Sequence, residues 1–212
     1  MKRVLVFCGS SPGRLREYTE RAAELGRLLA ERGLETVYGG ASVGVMGALA
    51  DAALEAGGKV IGVIPRRLLE SEIAHAGLTK LHITETMHER KALMGELSDV
   101  VLVLPGGSGT LDELFEFFTW NQLGLHRKPI GLLEVADYWQ PLLRFLEHAV
   151  DERFLRAEQF ETLLVERDAG ALLDRLATHQ PRSLGKWLDR RDDSDQDVPN
   201  TRSPASPNPG RM

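Results

Sequence analysis

Short apolar runs alternate with longer segments of helical spacing along most of this chain. Residues 4–8 are apolar throughout and predict a strand buried on both faces. Residues 14–32 carry Tyr18, Ala22, Leu25, Leu28 and Leu29 at helical intervals and predict a helix. Residues 35–38 predict a second strand, which ends in Gly39-Gly40. An alanine-rich helix over 44–56 follows and is closed by Gly57-Gly58. Strands are expected over 59–64, 81–84, 100–104, 129–133 and 163–165, and helices over 86–97, 110–123, 138–150 and 169–176. No internal repeat is visible. Doubly apolar strands separated by helices imply a parallel sheet covered on both sides. The expected fold class is therefore α/β: a Rossmann-like, doubly wound, mainly parallel sheet with helices on both faces. Such sheets bind ligands beyond the carboxyl ends of their strands.

The pattern stops near residue 188. Residues 189–212 hold four of the ten prolines and no aromatic side chain, which predicts a disordered tail behind a single domain over 1–188. With 212 residues and 42% hydrophobic composition, the chain can fill one real core. No apolar run approaches the ~18 residues of a membrane span. The run at 4–8 is also too short for the core of a leader peptide. Cys8 is the single cysteine, which excludes an internal disulfide framework and a Cys-rich zinc site. A net charge of −5 argues against binding a nucleic-acid polymer through overall charge. A soluble, cytoplasmic protein is expected, with no membrane partner. The six histidines show no metal-ligand spacing, so no metal is expected. Cys8 reads as a small apolar residue closing the first strand rather than as a nucleophile.

Three glycine-rich segments join a strand to a helix: Cys8-Gly9-Ser10-Ser11-Pro12-Gly13, Gly39-Gly40-Ala41-Ser42-Val43-Gly44-Val45-Met46-Gly47 and Pro105-Gly106-Gly107-Ser108-Gly109-Thr110. Glycine lets the backbone approach a ligand closely, and the next helix offers free N–H groups at the positive end of its dipole. One such loop is an ordinary turn; three on one sheet edge point to phosphate. Gly9, Ser10, Gly40 and the run Gly107, Ser108, Gly109 and Thr110 are the candidate contacts. Ser10 and Ser11 serve equally well as caps of the next helix. No loop reads G-x-x-x-x-G-K-[ST] or G-x-G-x-x-G, which disfavours a Walker-type triphosphatase and a dinucleotide dehydrogenase. A monophosphate ligand fits better.

Two helices carry charges where apolar residues are expected. In the helix over 110–123, Leu111, Leu114, Phe115, Phe117 and Phe118 define the buried face, while Asp112, Glu116 and Thr119 form a solvated one. Glu113 falls between Phe117 and Trp120 on the apolar flank. It is either a first-turn capping carboxylate or an ionised catalytic group held at low pKa by the helix dipole. A phosphate on the preceding N–H groups lies one helical turn from it, roughly 5 Å along the axis. That separation suits the reach from a 5-phosphate to an anomeric carbon. In the helix over 86–97, Met87, Leu93, Met94 and Leu97 form the apolar stripe, with Arg90 at its middle and Lys91 at its edge. An inward guanidinium needs an anion, either Glu113 or another carboxylate, or an anionic substrate.

The segment Pro105-Gly106-Gly107-Ser108-Gly109-Thr110-Leu111-Asp112-Glu113 resembles the P-G-G-x-G-T-x-x-E signature of the LOG (Lonely Guy) family. Met87-His88-Glu89-Arg90-Lys91 is similar to that family's second motif, and the resemblance extends over about residues 4–176. Two departures are small: the second loop reads Gly-Gly-Ala-Ser where many members have a third glycine, and Asp112 stands where Glu is common. The resemblance implies cleavage of the N-glycosidic bond of AMP or N6-substituted AMP, giving free base and ribose 5-phosphate. It implies Arg90 and Glu113 as the catalytic pair and adds Met87 and Lys91 to the substrate contacts. It implies no cofactor, and a homodimer; the aromatic helix of Phe115, Phe117, Phe118 and Trp120 could contribute to it, although core packing explains that helix equally well. Members often carry the label lysine decarboxylase, yet no lysine here stands out as a pyridoxal-phosphate anchor. The competing expectation is a non-catalytic nucleotide sensor or carrier of the same fold.

Overall fold

A computed structural model describes residues 1–69 and 74–179. The tail expected over 189–212, and so the boundary at 188, lies outside the described residues. Seven strands form one sheet: β1 (Arg3–Phe7), β2 (Glu35–Tyr38), β3 (Val60–Pro65), β4 (Lys80–Thr84), β5 (Val100–Val103), β6 (Ile130–Leu133) and β7 (Leu163–Glu166). Their order is β4-β3-β2-β1-β5-β6-β7, and every neighbouring pair is parallel. The helices are α1 (Glu17–Glu31), α2 (Gly44–Glu55), α3 (Arg66–Leu69), α4 (Met87–Glu96), α5 (Ser108–Gln122), α6 (Gln140–Asp151), α7 (Ala157–Phe160) and α8 (Ala169–Thr178).

Both faces of the central strands β1, β2, β3, β5 and β6 are buried, which is why these strands read as continuous apolar runs, whereas the edge strand β4 is partly exposed. Alternation along β1 divides the core. Val4, Val6 and Cys8 pack with α1, α2 and α8, while Leu5 and Phe7 pack with Met94 of α4, Leu114 and Phe117 of α5 and Leu146 of α6. The sheet grows outward from β1 to β4, then returns through α4 to β5 on the other side of β1. The crevice of a doubly wound sheet opens at this reversal, between the loops after β1 and β5. The two loops touch there, with the Gly9 N–H donating to the Pro105 carbonyl at 3.2 Å.

The expected fold class is present, and the differences are local. Helix α1 starts at Glu17 rather than 14, because Gly13 takes a left-handed turn (φ +73) against the Tyr18 ring. Its N-cap is Arg16, with no side-chain cap, so Ser10 and Ser11 do not cap it. Helix α5 starts at Ser108, two residues earlier than periodicity suggested, since its first turn is polar and carries no apolar marker. The one-turn helices α3 and α7 are too short for a periodic signal. No helix among the described residues is long and apolar enough to cross a membrane.

Candidate active site

Local rules place each side chain of the site. Helix α4 begins with a capping box. The Thr86 hydroxyl accepts from the Glu89 N–H at 3.1 Å, and the Glu89 carboxylate accepts from the Thr86 N–H at 3.3 Å. This start sets Met87 and Arg90 on the side facing β3. Arg90 is only 4% exposed. Its Nε donates to the Val63 carbonyl at 3.0 Å and its Nη2 to the Gly39 carbonyl at 3.2 Å, while Nη1 lies 3.9 Å from the Met87 sulfur. The guanidinium thus spans β3 and the end of β2, and two main-chain carbonyls take part of its hydrogen bonding. A Cβ at Gly39 would fall 2.4 Å from Nη2, so the space for Arg90 requires glycine there.

Helix α5 supplies the other half. Its first intrahelical bond runs from the Leu111 N–H to the Gly107 carbonyl at 3.1 Å, so Ser108, Gly109 and Thr110 have N–H groups with no carbonyl of the helix to meet. Its N-cap, Gly107, has no capping side chain. This is an open, positively polarised helix start. One turn in, Glu113 is 5% exposed. Arg90, Glu113, Gly9, Ser10, Met87 and Gly107 to Thr110 line one cleft of about 260 Å³. Cys8, Met46, Leu68 and Asp112 complete its wall. Burial pushes the Cys8 thiol well above its usual range, Glu113 adds to the rise and Arg90 partly offsets it. The thiol stays protonated, as the apolar reading of Cys8 expects.

Gly40 and Lys91 lie outside this lining. Gly40 turns left-handed (φ +86) beside Ile64 and Leu81, and its carbonyl accepts from the His75 N–H at 3.0 Å. The second glycine loop serves the site indirectly. It makes room for Arg90 at Gly39, and the start of α2 braces the first loop through Met46 N–H to the Gly9 carbonyl at 3.1 Å. The Lys91 ammonium, expected on substrate, is 6% exposed and is held between Asp112 (3.0 Å) and Glu116 (2.9 Å) of α5. Burial opposes its charge, but the Glu116 and Asp112 carboxylates outweigh that and raise its pKa. Asp112 and Glu116 are therefore not a purely solvated face, and Asp112, excluded by the helical pattern, borders the cleft. Met87, placed by the helical pattern in an apolar stripe and by the resemblance among the substrate contacts, is exposed and lines the cleft.

A second recess of about 310 Å³ adjoins the cleft and shares Gly9, Ser10 and Gly107 with it. Its outer wall is Tyr18 and Tyr138, whose rings meet edge to face at 5.8 Å. Periodicity marks Tyr18 only as a helix position and gives no sign that Tyr18 and Tyr138 wall a recess. The available clue is position, since Tyr138 follows β6, the strand beside β5. Among the described residues, no group of three or more His, Cys, Asp or Glu could hold a metal ion.

This geometry can be set beside known proteins. A family model described as "Possible lysine decarboxylase" matches residues 46–176. A cytokinin riboside 5'-monophosphate phosphoribohydrolase of Rhodococcoides fascians is 50% identical over 168 residues, covering 79% of this chain and 85% of that protein. One of Arabidopsis thaliana is 44% identical over 184 residues, covering 87% and 81%. Among solved structures, the molybdenum cofactor carrier protein of Chlamydomonas reinhardtii superposes with a TM-score of 0.64 at 22% identity, over 84% of this chain and 99% of that one. That last likeness shows a common fold. The sequence likeness goes further, because it spans both the Arg90 and the Glu113 helices in relatives sharing up to half of their residues. On that ground the chain belongs to the cytokinin riboside 5'-monophosphate phosphoribohydrolase (LOG) family.

Proposed function

We infer that this chain hydrolyses the N-glycosidic bond of adenosine 5'-monophosphates, plain or N6-substituted, to free base and ribose 5-phosphate. The observation that carries this reading is the meeting, in one cleft, of an uncapped helix start with the buried Arg90 and Glu113. Binding alone has no need of a buried carboxylate beside a phosphate cradle. The names of the relatives point to the same chemistry.

The phosphate sits on the N–H groups of Ser108 to Thr110, and Glu113 lies one turn further on. The carboxylate stabilises the positive charge that develops at the anomeric carbon as the base leaves, and it orients the attacking water. Water adds across the bond, its hydroxyl ending on the anomeric carbon and its proton on the base. Arg90, fixed by the Val63 and Gly39 carbonyls, keeps a positive charge against the same cleft and holds carboxylate and phosphate in register. Phosphate binding away from the reacting bond supplies positioning energy, so the unphosphorylated nucleoside reacts poorly.

The decarboxylase label of the family model finds no support in Lys91, the lysine beside Arg90. Two carboxylates keep it charged and therefore non-nucleophilic. We also assign the protein to the reducing cytoplasm, which suits its lone buried thiol. We assign it a homodimeric state as well, for which Phe115 and Trp120 offer a shallow groove with Leu111, Leu123 and Leu125 while Phe117 and Phe118 stay in the core. The test is chromatography of purified protein incubated with AMP and with isopentenyladenosine 5'-monophosphate. Free base and ribose 5-phosphate in equal amounts are expected. No base from either, at micromolar enzyme over hours, overturns the reading.

A further inference from the structure

Tyr138 stands outside the cleft, yet it is tied to the cleft's most compliant stretch of backbone. Its hydroxyl donates to the Gly106 carbonyl at 2.5 Å. In a trans peptide the carbonyl and the following N–H point in opposite directions. Gly107 borders both the tyrosine recess and the cleft. A Gly106 carbonyl drawn to the recess side therefore turns the Gly107 N–H to the cleft side, where Ser108 to Thr110 present theirs.

This peptide needs an external hold. Gly106 and Gly107 are the freest residues of the loop. Gly106 cannot be stiffened by a side chain cheaply, since a Cβ there would fall 2.1 Å from the Thr110 hydroxyl. Tyr138, by contrast, is firmly mounted. Ala136 (φ 51) and Asp137 (φ 59) form a left-handed turn before it, and its N–H donates to the Val135 carbonyl at 3.0 Å. Its ring packs edge-on against Tyr18 and, at 5.0 Å, against Trp139. Trp139 is anchored in turn through its N–H to the buried Glu134 carboxylate at 3.1 Å.

We propose that Tyr138 is a positioning residue that turns the Gly107 N–H onto the substrate's phosphate, and so favours phosphorylated over unphosphorylated ligands. The inference rests on the proposed function for the identity of the ligand, but binding tests it without turnover. Tyr138→Phe keeps the ring contacts and removes only the hydroxyl. Calorimetric titration with ribose 5-phosphate and with adenosine reads the two halves of the substrate separately. The expected result is a Kd for ribose 5-phosphate raised about three- to tenfold, the loss of one ordinary hydrogen bond, with the Kd for adenosine unchanged. An unchanged Kd for ribose 5-phosphate, or an equal rise in both constants, overturns the proposal. Failure of the wild-type protein to cleave AMP while these Kd values behave as expected overturns the function reading and leaves this one standing.

Discussion

At the scale of single residues, the site depends on charged groups placed where solvent scarcely reaches. Arg90 and Glu113 sit on different helices, 23 positions apart in the chain, and both are almost fully buried. Glu113→Gln keeps the shape and removes the charge that faces the developing cation. A fall in kcat for AMP of about 10²- to 10³-fold is expected, with KM little changed because phosphate contacts set it. Steady-state kinetics with full activity retained would discard the assigned role. Lys91 lies next to the site but outside the lining of its cleft. It ties α4 to α5 through Asp112 and Glu116, directly beside Arg90 and Glu113 in the chain. Its place in the motif is visible in the sequence. Its partners are not, because the helical pattern assigns them to open solvent.

At the scale of elements, glycine has three distinct tasks that one-dimensional reading merges. The loop after β5 opens a helix start, the loop after β1 lies against it, and the loop after β2 clears space for Arg90 and braces the first. A further glycine, outside these loops, sets helix spacing. Gly26 of α1 faces α2 so closely that a Cβ would lie 2.3 Å from the Leu49 carbonyl oxygen. Gly26→Ala gains about 1 kcal/mol of helix propensity, yet it must separate α1 from α2. A net loss of about 1–3 kcal/mol is expected, read as a lower midpoint in urea unfolding. An unchanged or higher midpoint would mean that the helices part freely. The glycine is plain in the sequence, but only the pairing of α1 with α2 tells a costly substitution from a helpful one.

At the scale of the whole molecule, the net charge of −5 supplies no attraction for a phosphate. Anion binding, as proposed, has to be local, through the oriented N–H groups of one helix start and one buried guanidinium. Stability toward acid follows from burial elsewhere. His126 lies against Phe117 and Trp120. Burial, with some help from Lys128, pushes its pKa down to about 4. The unfolded chain binds a proton there below about pH 6.5 and the folded one does not until about pH 4. Stability is therefore undiminished by this residue above about pH 6.5 and falls as pH drops toward 4. After allowance for partial exposure the loss is about 1–2 kcal/mol. His126→Asn should flatten the slope of the melting temperature between pH 6.5 and 4.5. An identical slope in wild type and variant would contradict it. The acid limb below that window belongs to groups such as Glu35, whose hydrogen bond from Arg3 at 2.6 Å holds its carboxyl below the usual range. That contribution is present above the unfolded carboxyl pKa and is lost as pH falls through the folded one.

The sequence by itself determined the alternation of strands and helices, the parallel sheet and the two motifs that carry Arg90 and Glu113. These are local or periodic properties, and burial on both sheet faces writes them directly into the order of residues. The tertiary structure decided which partners those residues meet. It set Lys91 between two carboxylates, left Gly40 outside the cleft lining, brought Asp112 to the cleft edge and attached Tyr138 to the glycine loop. Each of these depends on groups brought together by strand order and helix packing: Lys91 and Asp112 are 21 positions apart, and Tyr138 and Gly106 are 32. Periodicity reports which face of an element turns inward; it carries no information about what stands opposite.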